Sequence, residues 1–163
     1  MIIQTDPEFK EGPPATSSQL ALGRRGEELA AAYLQQSGYR LVAANFSLPV
    51  GRNRRGVLIN VEIDLVAYEA DTLCFVEVKT RASDWFAPPN VNVDRRKQRQ
   101  IARAARAYRR MFGLMHAPFR YDVVSVVLPP ADDRSVSFEI QLLRNYWTDD
   151  AIRKRYQSTP YWD

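Results

Sequence analysis

Between Val61 and Arg81 the chain reads V-E-I-D-L-V-A-Y-E-A-D-T-L-C-F-V-E-V-K-T-R, and few architectures can house such a stretch. Two runs rich in β-branched and aromatic residues flank Ala70-Asp71. That pattern predicts two strands joined by a two-residue turn, with Glu69 opposite Thr72. Side chains alternate along a strand. Glu62, Asp64, Val66 and Tyr68 should therefore share one face of the first strand, and Leu73, Phe75, Glu77 and Lys79 one face of the second. The register sets Tyr68 against Leu73, Asp64 against Glu77 and Glu62 against Lys79. Facing carboxylates with Cβ atoms roughly 5 Å apart repel by about 3 kcal/mol at an effective dielectric near 20, and sheets ordinarily avoid them.

A divalent cation between the carboxylates removes the repulsion, because hard cations take oxygen ligands. Lys79, two residues beyond Glu77 on the same face, adds an ammonium. A metal, two carboxylates and a lysine suit activation of water against a phosphodiester. The plainer account is a solvated hairpin face closed by a Glu62–Lys79 surface pair. Spacing alone leaves both open, while the apolar neighbours Phe75, Val76 and Val78 favour a partly buried site.

A chain of 163 residues with 45% hydrophobic and 26% charged residues fits one globular domain. A net charge of +4 permits a polyanionic partner without demanding one. The lone cysteine, Cys74, rules out a disulfide framework and zinc-type cysteine spacing. A reducing, cytoplasmic compartment fits. No apolar run approaches a membrane span, and no signal peptide is visible.

Residues 1–18 are polar and proline-rich and read as a mobile tail. From Gln19 the spacing of Leu22, Leu29, Ala30, Tyr33 and Leu34 predicts a helix ending near Gly38. Glu27 lies with the apolar stripe of this helix, whereas Glu28 groups with Arg24 and Arg25 outside. A carboxylate on the core side is a functional candidate, although one at the stripe edge can also snorkel to water. Tyr39–Phe46 predicts a strand. Ser47–Asn60, with Pro49, Gly51 and Gly56, predicts a loop or an extended hairpin tip, and Arg52, Arg54 and Arg55 there could contact phosphates. In the loop after Arg81, Trp85 and Phe86 could stack on a base.

Asn92 or Asp94 should cap a second helix reaching about Met111, with Ile101, Ala104, Ala105, Tyr108 and Phe112 inward. Arg96, Arg99, Arg103, Arg106 and Arg110 fall opposite and read as a solvated face rather than a catalytic phosphate track. Lys97 should bury its stem and bring its ammonium to the acidic site. Phe119–Leu128 reads as a strand buried on both faces, Val136–Leu143 as a last strand, and Thr148 or Asp149 as the cap of a short helix. Residues 19–145 then form the domain and residues 146–163 a C-terminal helical tail. The implied architecture is α/β: a central mixed sheet flanked by helices in three layers.

Four segments in this order, G-R-R-G-E-E-L-A at Gly23–Ala30, E-I-D-L-V-A at Glu62–Ala67, F-V-E-V-K-T-R at Phe75–Arg81 and F-R-Y-D-V-V at Phe119–Val124, resemble the YraN family. That family belongs to the restriction-endonuclease-like, PD-(D/E)XK nuclease superfamily and is similar in its core to Holliday-junction resolvases. The likeness covers roughly Leu20 to Val127. It implies a restriction-endonuclease-like fold, with Asp64, Glu77 and the main-chain carbonyl of Val78 as ligands of Mg2+ or Mn2+. It further implies Lys79 as the group that orients or activates the attacking water, and Glu27 as ligand or water-holder. Arg24, Arg52, Arg54, Arg55, Arg81 and Lys97 are the expected nucleic-acid contacts. Two positions depart from the pattern: Ile63 replaces the motif's proline, and Val61 stands where a glycine usually precedes the Glu-Ile-Asp segment. The expectation is a metal-dependent endonuclease acting on structured or damaged DNA rather than RNA. An RNA endonuclease and a binding module without turnover remain the alternatives, and a homodimer is compatible with the sequence.

Overall fold

In the computed structural model, residues 16–83, 91–130 and 137–153 are described. Helix α1 (Ser17–Gln36) begins two residues earlier than the apolar spacing indicates, because Thr16 and Gln19 close a reciprocal capping box. It ends where Gly38 takes φ 90°. Strands β1 (Arg40–Arg52), β2 (Leu58–Glu69) and β3 (Thr72–Ala82) follow. Then come α2 (Arg95–Met111), β4 (Phe119–Leu128), β5 (Glu139–Trp147) and α3 (Asp149–Arg153). Asp94 caps α2 by accepting a hydrogen bond from the Lys97 amide at 2.8 Å.

The five strands lie side by side in chain order. All neighbours are antiparallel except β3 and β4. A parallel pair needs a crossover, and α2 supplies it. The two sheet faces bury separate cores. One gathers Val66, Leu73, Phe75 and Val123 under Ile101, Ala104, Ala105 and Tyr108 of α2. The other gathers Leu65, Ala67, Val76 and Val124 under Ala30 and Leu34 of α1. The result is the expected three-layer α/β domain with a mixed sheet. Among the described residues no helix is long and apolar enough to cross a membrane.

Three boundaries differ from expectation. Strand β1 continues to Arg52 rather than ending at Phe46, and of the two readings of Ser47–Asn60 the extended hairpin holds. Leu48 alternates inward to the α2-side core, and β1 is an edge strand, where Pro49 is tolerated. The tip closes through Asn53, whose Oδ1 accepts the amides of Arg55 and Val57 at 2.9 Å each. At the other edge, β5 starts later and runs on to Trp147, because the Trp147 ring stacks on Tyr121 at 4.8 Å. Phe112, expected inward, caps α2 with its ring half exposed against Tyr108. Trp85 and Phe86 lie outside the described residues, as does the proline-rich tail up to residue 15.

One glycine sets how closely α1 lies on the sheet. A Cβ added at Gly26 would fall 1.7 Å from Thr80 Oγ1 and 2.7 Å from Thr80 Cβ on β3. Alanine would raise helix propensity by about 1 kcal/mol, but overpacking at such a contact costs about 1–3 kcal/mol or more, and the latter should dominate. Gly26→Ala is expected to lower unfolding stability by roughly 2 kcal/mol in urea titration. Pairing it with Thr80→Gly should give a loss smaller than the sum of the two single losses. An alanine variant as stable as wild type would show that Thr80 yields freely.

Candidate functional site

The acidic hairpin forms in the predicted register: Glu69 pairs Thr72, Tyr68 pairs Leu73 and Leu65 pairs Val76. Ala70 adopts the left-handed conformation, φ 50°, that a two-residue turn requires. Beyond Leu65 the outcome departs from simple alternation. Asn45 of β1 takes φ 49°, and the β1–β2 ladder passes from Ala44↔Leu65 to Phe46↔Ile63. Burial changes phase at this point. Val66 belongs to the α2-side core and Leu65 to the α1-side core, yet Val61 and Ile63 join Val66 on the α2 side. Asp64 sits at the inversion.

The inversion corrects the expected facing of Glu62 and Lys79. With Val61 and Ile63 turned toward α2, Glu62 points the other way. Asn45 Nδ2 approaches Glu62 Oε1 at 3.4 Å and donates to Glu27 Oε2 of α1 at 2.8 Å. Lys79 pairs instead with Glu77, its Nζ 3.0 Å from Oε1. From α2, Lys97 brings its Nζ to 3.6 Å from Glu77 Oε2, the approach anticipated from its helical angle. Asp64 Oδ2 accepts the amide of Val78 at 2.8 Å, which draws this carboxylate across onto β3 beside Glu77.

Glu77 is 3% exposed, and its Oε2 has no hydrogen-bond partner. A buried carboxylate oxygen without a hydrogen-bond donor is costly, and Lys97 answers its charge only at 3.6 Å. Burial, followed by the charge of Glu77, pushes the Asp64 carboxyl up to about 7. The Val78 amide and Lys97 oppose that shift, and Glu27 adds to it. Two carboxylates under like-charge stress, one of them with an oxygen that accepts no hydrogen bond, suit a hard divalent cation. Among the described residues no three carboxylate, histidine or cysteine side chains gather as a ready cation-binding group. Asp64 and Glu77 are thus the pair that could hold an ion, with Glu27 tethered at the periphery by Asn45.

The remaining candidates spread over three places. Arg81 lies half-buried on β3, on the same strand face as Lys79, and Arg24 is exposed on α1 one turn before Glu27. Arg52, Arg54 and Arg55 occupy the β1–β2 tip, where Arg52 Nη1 donates to Gly56 O at 2.7 Å. Leu58, the partner of Arg52, lies six positions along β2 from Asp64, so the tip stands about 20 Å from the acidic pair.

A profile of the uncharacterised protein family UPF0102 matches residues 26–126. The chain belongs to the UPF0102 family. A UPF0102 protein of Chlorobaculum tepidum is 40% identical over 124 residues, covering 76% of this chain and 88% of its own length. One from Chlorobium chlorochromatii is 40% identical over 139 residues, covering 84% and 98%. One from Geobacter sulfurreducens is 41% identical over 111 residues, covering 68% and 79%. The match includes the UPF0102 acidic hairpin and most of α1, so Glu27, Asp64, Glu77 and Lys79 all lie inside it.

Two groups of this UPF0102 chain escaped the sequence reading. Asn45 was legible only as an isolated polar residue in an apolar strand, and asparagine is among the few residues that tolerate the left-handed conformation. The second group joins five residues from α1–β1, the hairpin turn, β4 and β5. Arg120 Nε donates to both Asp122 oxygens at 2.9 and 3.0 Å, and its guanidinium also bonds Glu69 and, at 2.8 Å, Tyr39 Oη. Arg144 donates to Glu69 Oε1 at 2.8 Å.

The ionisation of Asp64 yields a stability prediction. Its folded pKa lies above the unfolded value of 3.8, so its contribution is complete below about pH 4 and is lost as pH rises through about 7. Metal-free protein is expected to unfold more easily at pH 8 than at pH 5 by roughly 2 kcal/mol, and Asp64→Asn should remove most of that difference. Urea titrations at the two pH values measure it. An equal slope in wild type and variant would show that Asp64 titrates normally.

Proposed function

We propose that this UPF0102 protein is a divalent-metal-dependent endonuclease that hydrolyses phosphodiester bonds in structured or damaged DNA. The observation that supports the reading is the buried Oε2 of Glu77, which has no hydrogen-bond donor and meets Lys97 only at 3.6 Å, next to Asp64 and with Lys79 on the other oxygen. Asp64 and Glu77 would hold Mg2+ or Mn2+, joined by the main-chain carbonyl of Val78. The bound cation supplies positive charge that stabilises the phosphate as negative charge develops and makes water more acidic.

The chain's own groups do the rest. Lys79 is 39% exposed at its side chain, so its ammonium, 3.0 Å from Glu77 Oε1, keeps donors for a water on the open side. It orients that water for in-line attack and offsets charge at the scissile phosphate. Lys97 neutralises part of the Glu77 charge from the α2 side. Asn45 fixes Glu27, which can accept a proton from the water or hold it in place.

A screen with Mg2+ and Mn2+ over duplex, single-stranded and branched DNA and matched RNA tests the proposal, with Lys79→Ala as control. Cleavage of DNA by wild type and not by the variant is the expected result. Cleavage confined to RNA would reassign the substrate. Nucleic-acid binding without cleavage of any substrate would replace the nuclease with a binding module.

A further inference from the structure

Helix α2 carries eight basic residues and no acidic one. The whole chain is only +4, so everything outside α2 sums to −4. Charge is thus segregated onto one helix. Two of the eight cations are committed inward: Lys97 to Glu77, and buried Arg109, whose guanidinium lies 3.8 Å from the Phe119 ring centre. Arg99, Arg103, Arg106 and Arg110 are exposed. None of these four has a carboxylate partner within salt-bridge distance among the described residues.

A merely solvated stripe would be featureless, and this one is shaped. Arg99, Ala102, Arg103 and Arg106 form one wall of a groove of about 310 Å³, and Asp149, Ile152 and Arg153 of α3 form the other. Neighbouring contacts fix the walls. Arg103 Nη2 donates to Val50 O at 3.1 Å, Arg95 Nη1 donates across to Ala151 O at 3.2 Å, and Tyr121 Oη donates to Asp149 Oδ1 at 2.8 Å. Four guanidiniums against one carboxylate leave the groove strongly positive.

We infer that the outer face of α2, with the α2–α3 groove, is a second nucleic-acid contact surface that binds the phosphate backbone without reading sequence. It shares the nucleic-acid partner with the proposed function but not the chemistry. Guanidiniums recur along Arg99–Arg110, about 17 Å of helix, and a duplex offers one negative charge per roughly 1.7 Å of its axis. A membrane surface fits less well. An interfacial helix needs a free apolar face, whereas Ile101, Ala104, Ala105 and Tyr108 are buried in the domain core. Lys97 reaches the acidic pair from the opposite side of the same helix, so nucleic acid held on the outer face is anchored beside the site rather than in it.

The test uses metal-free full-length protein, a fluorescent DNA duplex of about 20 base pairs and a salt titration. Arg99→Gln, Arg103→Gln and Arg106→Gln together should weaken binding about 10- to 100-fold at moderate salt and make the log–log salt slope shallower by about two to three. The corresponding triple lysine variant should keep the slope. Circular dichroism and thermal midpoints confirm that each variant is folded. An unchanged salt slope in the glutamine variant overturns the inference, even if wild type cleaves DNA with metal. Loss of duplex binding in that variant, when wild type never cleaves, sustains the inference and sinks the nuclease. Tighter retention of wild type on anionic phosphatidylserine vesicles than on duplex, abolished in the glutamine variant, overturns the nucleic-acid assignment.

Discussion

Lys79→Ala is expected to lower metal-dependent cleavage by about 10²–10⁴-fold with the fold unchanged. The side chain is 39% exposed and fills no core volume, so its loss leaves no cavity. Cation binding should survive and tighten, because one positive charge leaves the neighbourhood of Glu77. Asp64 should behave differently. Asp64→Ala would strip the Val78 amide of its acceptor, a further loss of about 1–3 kcal/mol. Asp64→Asn keeps an oxygen for that amide and is the cleaner variant. It should lose activity and weaken Mg2+ binding at least roughly tenfold, because an anionic ligand is gone. Cleavage rates, a calorimetric Mg2+ titration and thermal midpoints for wild type and both variants separate the two roles. A Lys79→Ala protein that cleaves as fast as wild type would remove lysine from the mechanism.

The largest stability effect should arise at Asp122 on β4, whose partner on β3 is Val76. Asp122 is fully buried, accepts two bonds from Arg120 Nε and receives the Asn145 amide at 2.9 Å. Asp122→Ala leaves Arg120 with one anionic partner, Glu69, and orphans the Asn145 amide. A loss of about 3–5 kcal/mol is expected. Replacing Arg120 and Asp122 together by Met and Leu should cost less than the sum of the single changes, because no buried charge is stranded. Urea unfolding of the three variants tests this, and additive losses would refute the coupling. The network also governs the acid limb of stability. Bonds from Arg144 and Arg120 hold Glu69 down at about 2, so its contribution is present above pH 4.5 and is lost as pH falls toward 2. Asp64 acts in the other direction between about pH 4 and 7, so these two groups together favour the metal-free fold most near pH 4.

The hairpin register was readable from sequence because a period of two and a two-residue turn admit little else. Helix α2 was readable because Asp94 and the Ile101–Tyr108 spacing mark its start and its inward face. What escaped were features that local rules disfavour and tertiary context permits. Pro49 and Gly51 look like a loop, and only the position of β1 at the sheet edge makes them tolerable in a strand. Strict alternation through Asp64 puts Glu62 on the wrong face, because the side-chain phase inverts there beside a left-handed Asn45 on the neighbouring strand. The Arg120 network was hidden because its partners lie 51 and 81 residues away for Glu69 and Tyr39. No window on the sequence holds all of them.

The Gly26–Thr80 contact bears on how accurately the site can be built. Side chains ordinarily absorb errors in placing one element on another, since a flexible rotamer can take up a few tenths of an ångström. Here helix backbone meets strand side chain with no intervening Cβ, and the very next residue is Glu27. The carboxylate therefore inherits the tolerance of a hard mechanical stop. A screw of α1 by one residue, about 100° around its axis, would turn Arg25 or Glu27 toward Thr80. What looks in the sequence like a weak point of a helix works as a gauge block that indexes α1 against the strand carrying Glu77 and Lys79.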